Sequence, residues 1–124
     1  MDGKKVLIVD DEEPLRRVLV DELAQQGFTA LSAKDGLEGL RIAKTEHPDV
    51  ILLDLIMPNM DGLTMLEKLR RDSWGATAQV ILLTNSSDLR DVERALRFQA
   101  YDFLVKSNWS LDNVVKKIRE KINS

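Results

Sequence analysis

Two hydrophobic periodicities alternate along this chain. Short runs of β-branched residues and leucine occupy residues 6–9, 28–33, 50–53, 80–83 and 103–105, and each predicts a strand. Between them, apolar residues recur three and four positions apart, which predicts helices. Leu15, Val18, Leu19 and Leu23 mark the first, and Leu37, Leu40 and Ala43 the second. Leu63, Leu66 and Leu69 mark the third, Leu89, Val92 and Leu96 the fourth, and Leu111, Val114, Val115, Ile118 and Ile122 the last. Punctuation agrees with this division. Pro14 suits a first helical turn, Gly27 a helix end, and Pro48 separates the second helix from the third strand. Ser110 can cap the last helix, with Trp109 and Val114 spaced as a hydrophobic staple.

The order is therefore strand then helix, five times over. The first, third and fourth runs are continuously apolar, as strands buried on both faces are. Right-handed crossovers then predict an α/β fold, a doubly wound parallel sheet with helices on both faces. In such sheets ligands bind where strands end, at the point where strand order reverses. The residues following each strand are accordingly the candidates for chemistry.

Those positions hold Asp10 and Asp11 (then Glu12 and Glu13), Asp54, Thr84 and Lys106. Taken singly, each has an ordinary role: a turn aspartate, a strand-end hydroxyl, a surface lysine. Together at neighbouring strand ends they form an unusual set. Two carboxylates about 4 Å apart repel by roughly 4 kcal/mol at an effective dielectric near 20. Three require protonation, a lysine or a cation. An all-oxygen set without His or Cys suits a hard cation, Mg²⁺ first.

Composition narrows the partners. At 124 residues the chain has the size of one domain, and 44% apolar residues are enough for one core. A net charge of −3, with basic and acidic residues interspersed, argues against a nucleic-acid partner. The absence of cysteine excludes disulfides and thiolate metal sites. No apolar run approaches a membrane span, so the expected setting is cytoplasmic, with no membrane partner.

The segments Val9-Asp10-Asp11, Asp54 through Gly62 (Asp-Leu-Ile-Met-Pro-Asn-Met-Asp-Gly), Leu83-Thr84 and Phe103-Leu104-Val105-Lys106 together resemble the receiver domain of two-component response regulators. The resemblance covers essentially the whole of residues 1–124, read as one stand-alone receiver because no effector domain follows Ser124. It implies a flavodoxin-like sheet of order 2-1-3-4-5. It also implies that Asp54 takes a phosphoryl group from a histidine kinase or a histidine phosphotransfer protein. The ligands it implies for Mg²⁺ (with Mn²⁺ as a substitute) are Asp11 and Asp54 side chains and the Ile56 backbone carbonyl, with Asp10 acting through a metal-bound water. By the same resemblance Lys106 supplies a second positive charge, and Thr84 and Phe103 form the switch. Glu12 and Glu13 are read as favourable charges at the start of the first helix. His47 lies away from the strand ends and is not read as a phosphodonor. The output is contact with a downstream protein target through the fourth helix, fifth strand and fifth helix, as a monomer or a phosphorylation-promoted dimer. No separate enzymatic turnover is expected.

Some residues depart from the family pattern. Ser107 replaces the usual proline after Lys106, so a trans bond is the expectation there. Asn85 replaces a small residue after Thr84, and Gln99 stands where many relatives carry glycine. Ile56 and Ser86 occupy positions that tune phosphate lifetime; the apolar Ile56 predicts slow self-dephosphorylation. Among the rivals, a flavin-type phosphate cradle is opposed by Asp10 through Glu13. A haloacid-dehalogenase-type phosphatase needs a second aspartate two residues after the first, which neither Asp10 nor Asp54 has. A receiver that works without phosphorylation is opposed by the completeness of Asp10, Asp11, Asp54, Thr84 and Lys106.

Overall fold

A computed structural model describes residues 3–84 and 89–123. Strands β1 (Lys5–Val9), β2 (Thr29–Ala33), β3 (Val50–Asp54), β4 (Val80–Thr84) and β5 (Asp102–Val105) form one sheet in the order β2-β1-β3-β4-β5. All four pairings are parallel. Helices α1 (Glu13–Gln25), α2 (Gly36–Glu46), α3 (Gly62–Arg71), α4 (Leu89–Leu96) and α5 (Leu111–Asn123) connect or follow the strands. Short 3₁₀ turns occur at Gly75–Thr77 and Lys106–Asn108.

Alternate residues of the central strands feed two cores. Leu7, Ile51, Leu53 and Leu82 pack with Ala43 of α2 and with Met65, Leu66 and Leu69 of α3. Ile8, Leu52, Ile81 and Leu83 pack with Leu19 and Leu23 of α1 and with Val114 and Ile118 of α5. Every residue of β3 and β4 is buried, which is why those runs lack polar alternation. β1 lies between β2 and β3, and α1 and α2 pack on opposite faces of the sheet. Strand order reverses there, so the carboxyl ends of β1 and β3 are where a ligand is expected.

The helix ends follow the sequence signals. Pro14 lies in the first turn of α1, and Gly27 adopts φ +94° just beyond its end. Asp35 and Asp61 cap α2 and α3 by accepting the Glu38 and Thr64 amides. Ser110 Oγ accepts the Asn113 amide at 3.2 Å, and Trp109 packs on the cluster that contains Val114. His47 ends α2 at φ 48° and stacks on Trp74, with ring centroids 4.5 Å apart.

Three residues expected on apolar helix faces are exposed instead: Val18, Leu37 and Leu96. In α2 the buried positions are Gly36, Gly39 and Ala43. A Cβ on Gly39 would stand 2.9 Å from Val9 side-chain carbons, so α2 lies too close to the sheet for a larger residue. Among the described side chains of α4 the buried one is Ala95. A pattern built on large side chains misses contacts made by small ones.

Candidate functional site

The register of the sheet builds the site. Val9 pairs with Leu53, which brings Asp10 level with Asp54. Asp54 pairs with Leu83, and Thr84 pairs with Val105, so Thr84 lies one step and Lys106 two steps further along. Asp10, Asp54 and Thr84 are all buried. Lys106 opens the 3₁₀ turn after β5, two strands from β3, or roughly 10 Å at the usual strand spacing. Its stem crosses that gap largely out of solvent.

The ammonium of Lys106 ends among three carboxylates. Its Nζ lies 2.9 Å from Glu12 Oε1, 3.0 Å from Asp54 Oδ2 and 3.1 Å from Asp10 Oδ2. The other oxygens are held by backbone. Asp10 Oδ1 accepts the Glu12 amide at 2.8 Å, and Asp54 Oδ1 accepts the Ile56 amide at 3.3 Å. Asp10 Oδ2 is buried without a well-aligned hydrogen bond, and among the described residues the Lys106 ammonium 3.1 Å away is what answers it.

Burial dominates the electrostatics. It pushes the Asp54 carboxyl up to about 6, with neighbouring Asp10 adding to the rise and Lys106 opposing it. Burial also raises Asp10, against the Glu12 amide and Lys106. For Lys106 burial works against the charge, but Glu12, Asp54 and Asp10 outweigh it and hold the ammonium above the ordinary lysine range.

Oxygens of Asp10, Glu12 and Asp54 lie within 4.8 Å of one another, close enough to hold a metal ion. The unsatisfied Oδ2 of Asp10 and the purely oxygen donor set fit a hard dication. This group differs from the sequence expectation in one member. Asp11 is exposed and lies outside it, whereas Glu12, read from sequence as a helix-end charge, is part of it. Glu12 is the N-cap of α1 yet makes no side-chain cap bond; its carboxylate turns to Lys106.

The remaining candidates fall as follows. Ile56 follows Asp54 by two residues, its side chain 60% exposed and its backbone beside the Asp54 carboxylate. Phe103 lies on edge strand β5 opposite Leu82 and is 44% exposed. No cis peptide bond occurs among the described residues, so Lys106–Ser107 is trans. Asn85 and Ser86 lie outside the described residues. Lys117 and Lys121 on α5 both pair with Asp102, and Arg119 bonds Gln26 Oε1 and overlies Phe28. Sequence reasoning missed Asp35 and Asn59, whose side chains bond each other at 2.7 Å and link the start of α2 to the loop after Asp54. The Asp35-to-Glu38 spacing signals a cap; nothing in it signals the second bond.

A parallel sheet with buried aspartates and a lysine at its carboxyl edge is the arrangement that the resemblance to receiver domains implies. Comparisons with known proteins agree. The family "Response regulator receiver domain" matches residues 6–119, and the chain belongs to that family. It is 41% identical over 106 residues to the probable transcriptional regulator ycf27 of Porphyridium aerugineum, covering 86% of this chain and 43% of that protein. The chain spans less than half the length of the first curated relatives it matches. The chemotaxis protein CheY4 of Vibrio cholerae superposes with a TM-score of 0.88 at 27% identity, over 95% of this chain and 98% of that one. The receiver domain of sensor histidine kinase PA1611 from Pseudomonas aeruginosa PAO1, which has a magnesium ion coordinated in its active site cleft, gives 0.88 at 25% identity, over 98% and 99%. The protein is thus a receiver-type module of two-component signalling with a flavodoxin-like fold.

Proposed function

We propose that residues 1–124 act as one receiver domain that accepts a phosphoryl group on Asp54 in the presence of Mg²⁺ and then alters its partner-binding face. The observation carrying this reading is the convergence of Asp10, Glu12 and Asp54 on Lys106 Nζ, with one buried aspartate oxygen left without a hydrogen bond.

The donor is a phosphohistidine on a histidine kinase or a phosphotransfer protein. An Asp54 oxygen bonds to phosphorus as the phosphorus–nitrogen bond breaks, and the electron pair returns to the imidazole. Asp54 is held for attack because the Ile56 amide fixes one oxygen and Lys106 the other. Lys106 offers fixed positive charge where phosphoryl oxygens gather, and such positioning supplies most of the catalysis in this chemistry. Asp10, Asp11, Asp54 and the Ile56 carbonyl are the family's ligand set for Mg²⁺, and Glu12 joins the candidates through its place in the cluster. When bound, the ion neutralises charge on the transferring group. The magnesium reported in the PA1611 receiver supports this choice.

Thr84, buried beside the site, moves its hydroxyl towards the new phosphate, and Phe103 turns inward from its exposed position. A downstream protein reads that change. The module turns over no separate substrate and works in the cytoplasm. Among the described residues no helix is long and apolar enough to cross a membrane.

Incubation with acetyl phosphate or beryllofluoride tests the reading. Labelling that requires Mg²⁺ and disappears in Asp54→Ala is expected; labelling that persists in that variant overturns it, and its absence in the parent favours a phosphorylation-independent receiver. The exposed Ile56 side chain cannot orient a water, so the phosphorylated protein is expected to decay more slowly than Ile56→Glu or Ile56→Asn. Equal decay rates in Mg²⁺ would remove that claim.

A further inference from the structure

A hydrogen-bonded pair outside the carboxylate cluster, buried Asp35 and exposed Asn59, ties the start of α2 to the loop that follows Asp54. Asp35 is 4% exposed and uses both carboxylate oxygens. Oδ1 accepts the Glu38 amide at 2.9 Å, and Oδ2 accepts Asn59 Nδ2 at 2.7 Å. Those two bonds hold its carboxyl below the ordinary aspartate range, against burial. Beside this pair the Gly36 amide donates to Met60 O at 3.0 Å, and a Cβ on Gly36 would stand 2.4 Å from that oxygen. At the far end of the loop the Gly62 amide donates to Leu55 O at 2.8 Å. A Cβ on Gly62 would stand 2.2 Å from Asp54 O.

The loop over residues 55–61 is therefore held from outside itself. Ile56 needs such support, because its side chain is 60% exposed and anchors nothing, while its amide must face Asp54 Oδ1. Asn59 accepts a left-handed backbone, φ 65°, at the point where its side chain reaches Asp35. A helix cap needs only one carboxylate oxygen. The second oxygen of Asp35 spans 24 residues of sequence to reach Asn59.

We propose that Asp35 and Asn59 are positioning residues that hold residues 55–61 so that the Ile56 backbone faces the Asp54 carboxylate and the cation it shares. The inference rests on the reading of the site as a Mg²⁺-dependent phosphoacceptor.

Amide NMR of the metal-free protein, followed by MgCl₂ titration, tests both. Asn59→Gly removes the side-chain link but suits the left-handed backbone. Asn59→Asp sets two carboxylates face to face. The exchange Asp35→Asn with Asn59→Asp restores one amide-to-carboxylate bond in the opposite direction and keeps a capping oxygen for α2.

Loss of an outer support of this kind weakens metal binding by about tenfold or more. Both single variants are expected to show that loss together with faster hydrogen exchange at the Ile56 amide. The exchanged pair is expected to recover to within about threefold of the parent. A parent that responds to Mg²⁺ while Asn59→Gly matches it in affinity and exchange overturns the inference alone, leaving Asp35 as a cap. An exchanged pair no better than Asn59→Asp also overturns it. A parent indifferent to Mg²⁺ overturns the reading of the site and the inference with it.

Discussion

Asp54 is a carboxylate kept out of water in a group that must carry charge to react. Burial pushes it from 3.8 up to about 6, a displacement worth about 3 kcal/mol at most. Between those values the folded protein holds a proton that the unfolded chain has released. Stability therefore falls as pH rises from about 4 to 6 and is then level for this group. In chelator, Asp54→Asn is expected to be more stable than the parent by about 1–3 kcal/mol at pH 7.5, with the gap closing below pH 4. Urea unfolding at both pH values checks this, and a gap that widens on acidification has the wrong sign. Asp10 and Asp54 were readable from sequence because each follows a recognisable strand. Glu12 was not. Its carboxylate stays largely exposed but pairs with Lys106, 94 residues away in sequence, and no local pattern announces that contact.

At the scale of elements, the turn from α4 into β5 holds a left-handed residue that is not glycine. Gln99, at a position where the family resemblance implies glycine in many relatives, adopts φ 61°. A left-handed non-glycine residue costs roughly 1 kcal/mol. Gln99→Gly is expected to raise stability by about 0.5 kcal/mol, the relief being partly offset by a freer unfolded chain. A lower urea midpoint would contradict the assignment of strain. Arg70 of α3 braces the same turn. Its half-buried guanidinium donates to the carbonyls of Phe98, Gly75 and Ala78 at 2.7 Å and of Gln99 at 3.3 Å. Arg70→Met leaves those carbonyls short of donors and is expected to cost about 2–3 kcal/mol. A loss under about 0.5 kcal/mol would show the brace to be dispensable. Neither the strain nor the brace was visible as a periodicity. The strands and helices were, because the same alternation that buries them writes their pattern.

For the whole molecule, the lysine among the carboxylates gives the metal-free protein an internal counter-ion, and a dication adds stability only by binding the folded state. At one hundred times its dissociation constant, Mg²⁺ is expected to stabilise the protein by about 2.7 kcal/mol. Excess chelator reverses the gain, and Asp54→Ala abolishes it. Thermal melts across a Mg²⁺ series measure the effect, and a melting temperature independent of Mg²⁺ in the parent excludes a specific site. The two cores explain how binding at one rim can be felt elsewhere. The strands that end at Asp10, Asp54 and Thr84 are packed on both faces, while Tyr101, just before edge strand β5, and Phe103 on it stay near solvent.

The sequence by itself determined the element order, the buried central strands, and the gathering of Asp10, Asp54, Thr84 and Lys106 near one edge. Each of these depends on local periodicity and on the geometry common to parallel sheets. Tertiary structure alone decided that Glu12 pairs with Lys106, that small residues seat α2, and that Asp35 reaches Asn59. Those outcomes depend on distances between segments remote in sequence, where one side chain's choice of partner is set by whichever group packing brings within about 3 Å.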